Sequence, residues 1–213
     1  MGWELCIRDR LGAEAHAALG PCTFLLTLNF AFYFLAVGGS LTLIARCTGS
    51  GDRVGRDSVI RHSILLAVFV ATLVGFLGAS NIGVLTGGIG LVGKTAEFSQ
   101  TYLGMIYAVT IPMALAPVVS TTFVAMGNTR LPLMLQLVAV GCNFVLNPVL
   151  IYGWGPIEGM GIAGAALATG ISRAVSAGLG LFFLVRLYSV RLFSFADLSL
   201  RRFSQIIRIG VPS

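Results

Sequence analysis

The chain has 213 residues, of which 56% are hydrophobic and 10% charged, with a formal net charge of +6 and a mean hydropathy of +0.92. Soluble domains carry about 25% charged residues, so this composition excludes a water-exposed globule. Apolar runs near the ~20 residues that cross a hydrocarbon core as helix recur along the chain, and the expected class is all-α: a polytopic membrane helix bundle.

Met1–Arg10 is the most polar piece of the N-terminal region and does not read as a secretory signal. Within it, Cys6-Ile7-Arg8-Asp9-Arg10 is the in-frame translation of a common sequencing-library adapter (TGT ATA AGA GAC AG). Residues 1–10 are therefore expected to be an assembly artefact standing where an upstream helix belongs. The first span is predicted over Ala17–Ala45, with Asn29 as its main interior polar group. A basic loop with Arg53, Arg56 and Arg61 leads into the second, Ser58–Gly78, which is apolar and β-branched.

A Gly-rich connection over Asn81–Thr95 precedes the third span, Phe98–Met126. Pro112 and Pro117 lie inside that span, and the break they make in the hydrogen-bond ladder predicts a kink. A tight turn from Gly127 to Pro132 opens the fourth span, Leu131–Tyr152, and the short loop Gly153–Gly161 leads to the fifth, Ile162–Leu187. From Val190 onward Leu200, Phe203, Ile206 and Ile207 alternate with Arg201, Arg202, Gln205 and Arg208. This is the pattern of an interfacial amphipathic helix lying on the membrane. Ile209–Ser213 reads as the beginning of a further span.

Thirteen of the fourteen basic residues are arginine, and they are not gathered on one surface as a nucleic-acid site requires. Five spans distribute the loops between two sides. Arg46, Arg53, Arg56, Arg61, Arg130, Arg186, Arg191, Arg201, Arg202 and Arg208 fall on one, and Lys94 alone on the other. The positive-inside rule assigns the arginine side to the cytoplasm and the loops Asn81–Thr95 and Gly153–Gly161 to the outside. The four cysteines (Cys6, Cys22, Cys47, Cys142) have neither metal-ligand spacing nor close pairing and read as isolated small residues.

Gly88-Ile-Gly-Leu-Val-Gly93-Lys94-Thr95 fits the P-loop expression G-x-x-x-x-G-K-[ST]. A P-loop joins a buried strand to a helix and works with an aspartate on a later strand, whereas here a membrane span precedes it and no such strand follows. Catalysis fares no better. His16 and His62 are lone residues near span ends, and the eight acids (Glu4, Asp9, Glu14, Asp52, Asp57, Glu97, Glu158, Asp197) lie in loops or at ends. An enzyme is not expected, and no cofactor is implied.

The polar residues inside the spans are more informative. Asn143 and Asn147 are four apart and share a helix face. Pro148, a third kink position, would free the carbonyl near Phe144, so amide and carbonyl oxygens could converge near the midplane to help hold Na⁺ or a substrate, as in broken transporter helices. Interhelical hydrogen bonding explains the same pair equally well. In the fifth span Gly164, Ala168, Ser172, Ser176 and Gly180 recur every four residues, as do Gly161, Ala165 and Thr169. Such stripes allow close helix packing. Arg173 lies near mid-span, where a charge is costly and is expected to face a bundle interior or a watery cavity. Asn29, Gln136 and Thr110 are weaker candidates of the same kind.

Several of these pieces share one further property. Ala45-Arg46-x-x-Gly49-x-Gly51-Asp52, Gly127-Asn-Thr-Arg130-x-Pro132, Asn147-Pro148-x-Leu-Ile-Tyr-Gly153 and Met160-Gly-Ile-Ala-Gly-Ala-Ala-Leu-Ala-Thr169-x-x-Ser172-Arg173 closely resemble the multidrug and toxic compound extrusion (MATE) family in composition, order and spacing. The resemblance covers about Leu11 to Ser213. It implies a twelve-helix protein of two six-helix lobes that exports organic, often cationic, drug-like compounds through the cell membrane by Na⁺ or H⁺ antiport. Residues 11–189 then correspond to helices two to six of the N-terminal lobe. Residues 190–213 correspond to the cytoplasmic inter-lobe linker and the start of helix seven. Helix one and the C-terminal lobe become expected partners.

Some members of the family hold a cation in this lobe with an Asp on helix one, an Asn and an Asp a turn apart on helix five, and a Thr on helix six. Asn143 matches that Asn and Thr169 the Thr, but Asn147 stands where those members have Asp. A candidate Na⁺ position at Asn143, Asn147 and Thr169 would therefore lack its carboxylates. The alternative within the superfamily is a lipid or lipid-linked oligosaccharide flippase, which should show a strongly cationic central cavity. Arg173 is the one clear mid-span charge.

Overall fold

The computed structural model describes residues 2–190 and 199–210 and is a bundle of helices. In chain order these are α1 (Gly2–Gly49), α2 (Arg53–Ser80), α3 (Ile82–Gly88), α4 (Gly93–Ala108), α5 (Thr110–Ala125), α6 (Arg130–Tyr152), α7 (Ile162–Tyr188) and α8 (Leu200–Gly210). A two-stranded ribbon, β1 (Gly153–Trp154) against β2 (Ile157–Glu158), joins α6 to α7. Among the described residues four helices are long and apolar enough to cross a membrane: Cys22–Gly49 of α1, α2, α6 and α7. The pair α4 and α5, bent by 54° at Val109, makes a fifth if it is one broken span. Residues 2–10 continue the helical backbone of α1. Of the expected start of a further span, residues 211–213 lie outside the described residues, as do Arg191 and Asp197.

The family-like motifs act locally as turns and caps. Gly51 takes a left-handed φ of 73°, and the Asp52 carboxylate accepts the Gly55 N–H at 2.8 Å, capping α2. Gly127 turns at φ 81°, and Asn128 Oδ1 accepts from the Arg130 and Leu131 N–H groups, each at 3.1 Å, at the start of α6. Asn128 Nδ2 also donates to the Tyr188 hydroxyl at 3.0 Å, so this turn is tied to the end of α7.

The kink in the third predicted span lies at Val109, three residues before Pro112. Pro112 falls in the first turn of α5, where its missing N–H leaves the Ala108 carbonyl without the donor that would continue α4. Pro117 is carried inside α5. Gly170 of α7 has no Cβ where Val109 approaches, so the bend packs directly on α7. The Gly-rich connection contains a helix that its composition disguised. In α3, Leu85 and the neighbouring Ile82 pack on Leu103 and Tyr107 of α4, and Gln100 Nε2 donates to Thr86 Oγ1 at 3.2 Å. The P-loop expression Gly88–Thr95 thus runs from the end of α3 into α4 with no strand ahead of it. The nucleotide-binding alternative has no structural context here.

The apolar residues follow membrane logic. Phe123, Ile44, Ile60, Leu135 and Leu184 form the buried core, whereas Phe24, Phe69, Phe76 and Phe144 lie on the outside. Exposed aromatic side chains on bilayer-length helices are in their proper solvent when that solvent is lipid.

Candidate functional site: a polar cavity between α6 and α7

The helices α6 and α7 form a tight antiparallel hairpin. Gly153, Gly155 and Gly161 adopt left-handed φ values of 83°, 60° and 57° around the ribbon. The Met160 and Gly161 N–H groups return to the Leu150 and Ile151 carbonyls at 2.8 and 3.1 Å. Further along, Gly164 brings the α7 backbone against the Leu150 carbonyl, leaving no room for a Cβ. Gly180 does the same against Val119 and Leu135. Between them Ala168, Ser172 and Ser176 are buried, so the first small-residue stripe is a packing surface.

Of the second stripe Thr169 faces a cavity of about 170 Å³, lined by Gln136, Ala139, Val140 and Asn143 of α6 and Thr169, Ser172 and Arg173 of α7. A directed chain of hydrogen bonds runs along one side of it. Asn147 Nδ2 donates to Asn143 Oδ1 at 2.8 Å, and Asn143 Nδ2 donates to Thr169 Oγ1 at 3.3 Å. Thr169 Oγ1 in turn donates to the Ala165 carbonyl at 3.0 Å. One helical turn away, Arg173 Nη1 donates to Gln136 Oε1 at 3.0 Å. Ser172 is spent on the Ala168 carbonyl at 2.7 Å. Asn147, 6% exposed, supports Asn143 from behind and does not line the cavity.

Arg173 also lines a second cavity of about 160 Å³, walled by Phe30, Tyr33, Phe34 and Val37 of α1 and Met113 and Pro117 of α5. Arg173 thus borders both an amide-lined space and an aromatic one. A charge at mid-span costs roughly 2.5–3.5 kcal/mol on insertion scales, and here the chain offers it polar surroundings but no carboxylate among the residues lining either cavity.

The predicted site residues therefore divide. Asn143, Asn147, Thr169 and Arg173 come together, with Gln136 joining them. Asn29 does not. It lines a separate, mainly apolar cavity of about 520 Å³ with Leu25, Phe32, Leu73, Leu77 and Tyr107, and its Nδ2 is buried without a partner. Thr110 is a packing residue, its hydroxyl donating to the Tyr107 carbonyl at 3.0 Å beside Gly75. The aromatic wall was not singled out in the sequence, although residues 30, 33, 34 and 37 have the i, i+3, i+4, i+7 spacing of one helix face.

The fit to a cation is poor. The cavity offers neutral amide and hydroxyl oxygens already engaged with each other, no carboxylate, and a guanidinium within the same lining. Hard cations are held by oxygen ligands that usually include carboxylates. Among the described residues no group of three or more His, Cys, Asp or Glu side chains is placed to hold a metal.

A family model described as MatE matches residues 7–149, two thirds of the chain. The chain belongs to the MatE family. Over 178 residues it is 30% identical to a protein named FAD transporter from Shewanella oneidensis, covering 83% of this chain and 39% of that relative. It is 28% identical over 141 residues to the probable multidrug resistance protein NorM of Thermotoga maritima, covering 66% of this chain and 30% of that one. An inward-facing multidrug resistance MATE family transporter superposes with a TM-score of 0.78 at 26% identity, over 94% of this chain and 45% of its own. An outward-facing structure of such a transporter shares the fold with a TM-score of 0.86 at 24% identity, over 97% of this chain and 46% of its own. The chain spans about two fifths of the length of the FAD transporter and less than half of these solved chains. Family membership and the apolar helices together make this a membrane protein of a transporter family.

Proposed function

We propose that this chain is the N-terminal-lobe part of a secondary active efflux transporter. It would export small organic compounds across the cell membrane in exchange for Na⁺ or H⁺ by alternating access, with no resident cofactor. The observation that carries this reading is the polar cavity of Gln136, Asn143, Thr169 and Arg173, set between two bilayer-length helices of a MatE-family chain. A mid-membrane polar cavity beside close-packed small-residue helices is what a rocking transporter needs. It receives a solute while its walls stay rigid enough to move as a body.

In this reading the arginine-rich loops face the cytoplasm and the ribbon Gly153–Glu158 faces outward. The cavity itself supplies no carboxylate to couple transport to an ion gradient. The test is efflux from a pump-deficient host expressing the complete reading frame that encodes the chain, under imposed Na⁺ and pH gradients. Gradient-dependent export that falls at least tenfold in Asn143→Ala and Arg173→Ala is expected. Export unaffected by those substitutions, or by both gradients, would remove the assignment.

A further inference from the structure

The charge balance around Arg173 points to a substrate class. The two cavities that meet at this residue present one formal charge between them, the guanidinium, and none of their lining residues is acidic. Arginine carries five N–H donors in a planar fork. In this structure Gln136 takes one of its guanidinium nitrogens, Nη1, at 3.0 Å. On one side lie Phe30, Tyr33 and Phe34. On the other lie Asn143 and Thr169, whose amide and hydroxyl can pair with polar substituents. Against these lining residues a cationic ligand would meet the guanidinium and no opposite charge. An anion would make charge-assisted bonds to a fork that suits carboxylate or phosphate geometry.

We propose that the transported compound is an aromatic anion. Its ring lies on the Phe30–Tyr33–Phe34 wall, its carboxylate or phosphate meets Arg173, and its polar substituents reach Asn143 and Thr169. The assignment rests on the efflux reading above and names its substrate class. Each cavity holds one or two fused rings, so the recognised unit is an aryl acid or the aryl end of a larger molecule.

A matched series isolates charge at constant ring size: 2-naphthoate, 2-naphthamide and 2-naphthyltrimethylammonium. Binding to the product of the complete reading frame in nanodiscs, corrected with empty nanodiscs, should rank the naphthoate about tenfold above the amide, with the ammonium weakest. Arg173→Gln should bring the three together and Arg173→Lys should keep the preference for the anion, while Phe34→Ala should weaken all three alike. If the ammonium binds best, or Arg173→Gln leaves the ranking unchanged, the substrate class is wrong. If no member binds but the complete reading frame still exports ethidium along an ion gradient, this inference alone falls. If neither binding nor export occurs, the transporter reading falls with it.

Discussion

Gly164, buried in the α6–α7 crossing, places its α-carbon where the Leu150 carbonyl of α6 comes within reach of any added side-chain atom. That contact sets the register in which Asn143 meets Thr169 and Gln136 meets Arg173. Gly164→Val should therefore push the helices apart and destabilise the hairpin by about 1–3 kcal/mol. The shift would appear as a lower midpoint in thermal unfolding followed by size-exclusion in detergent. Ile171→Val, on an exposed face of the same helix, should leave the midpoint within error. At this scale the sequence was readable where spacing alone carried the information. Four-residue intervals identified both the stripe and the Asn143–Asn147 face. They could not pair Arg173 with Gln136, 37 residues away, because a partner across two helices depends on their relative rotation and rise.

His62 in the N-terminal half of α2 shows what an element-level contact can hide. Its ring is fully buried, its Nδ1 lies 2.7 Å from the Ser58 carbonyl, and its Nε2 accepts the Ser199 N–H at 3.1 Å. A ring with its proton on Nδ1 satisfies both partners. Phe203 of α8 packs on it in a tilted arrangement, 4.7 Å between centroids, Ile206 is buried beside Gly39 of α1, and Arg202 Nη1 donates to the Gly55 carbonyl at 3.4 Å. The amphipathic tail helix thus turns Phe203 and Ile206 onto α1 and α2, while Leu200, Ile207 and Ile209 stay exposed. His62→Ala removes both the ring contact and the acceptor, a loss of about 1–3 kcal/mol. It should raise hydrogen exchange across Leu200–Gly210 by tenfold or more while exchange within α6 and α7 is unchanged. A lone histidine near a span end carried no sign of this, since its partner Ser199 is 137 residues distant and belongs to no periodic pattern.

Across the whole molecule, the arrangement of loops is the property most open to direct measurement. Trp154, 73% exposed in the ribbon, and Val54, 77% exposed at the start of α2, lie on opposite sides in the proposed topology. In a cysteine-free background, Trp154→Cys should react with a membrane-impermeant maleimide in intact cells. Val54→Cys should react only after permeabilisation, and the reverse pattern would invert the orientation. The sequence by itself determined the class, the apolar segments, the charge asymmetry and the family resemblance, because hydropathy and turn chemistry are sums over neighbouring residues. Only the tertiary structure decided that Asn29 stands apart from Asn143, that Arg173 borders both an aromatic space and an amide-lined one, and that α8 docks on His62. Those outcomes depend on the register between helices. Contacts such as Gly164 on Leu150 and Gly170 on Val109 set that register, and it is written in no single stretch of the chain.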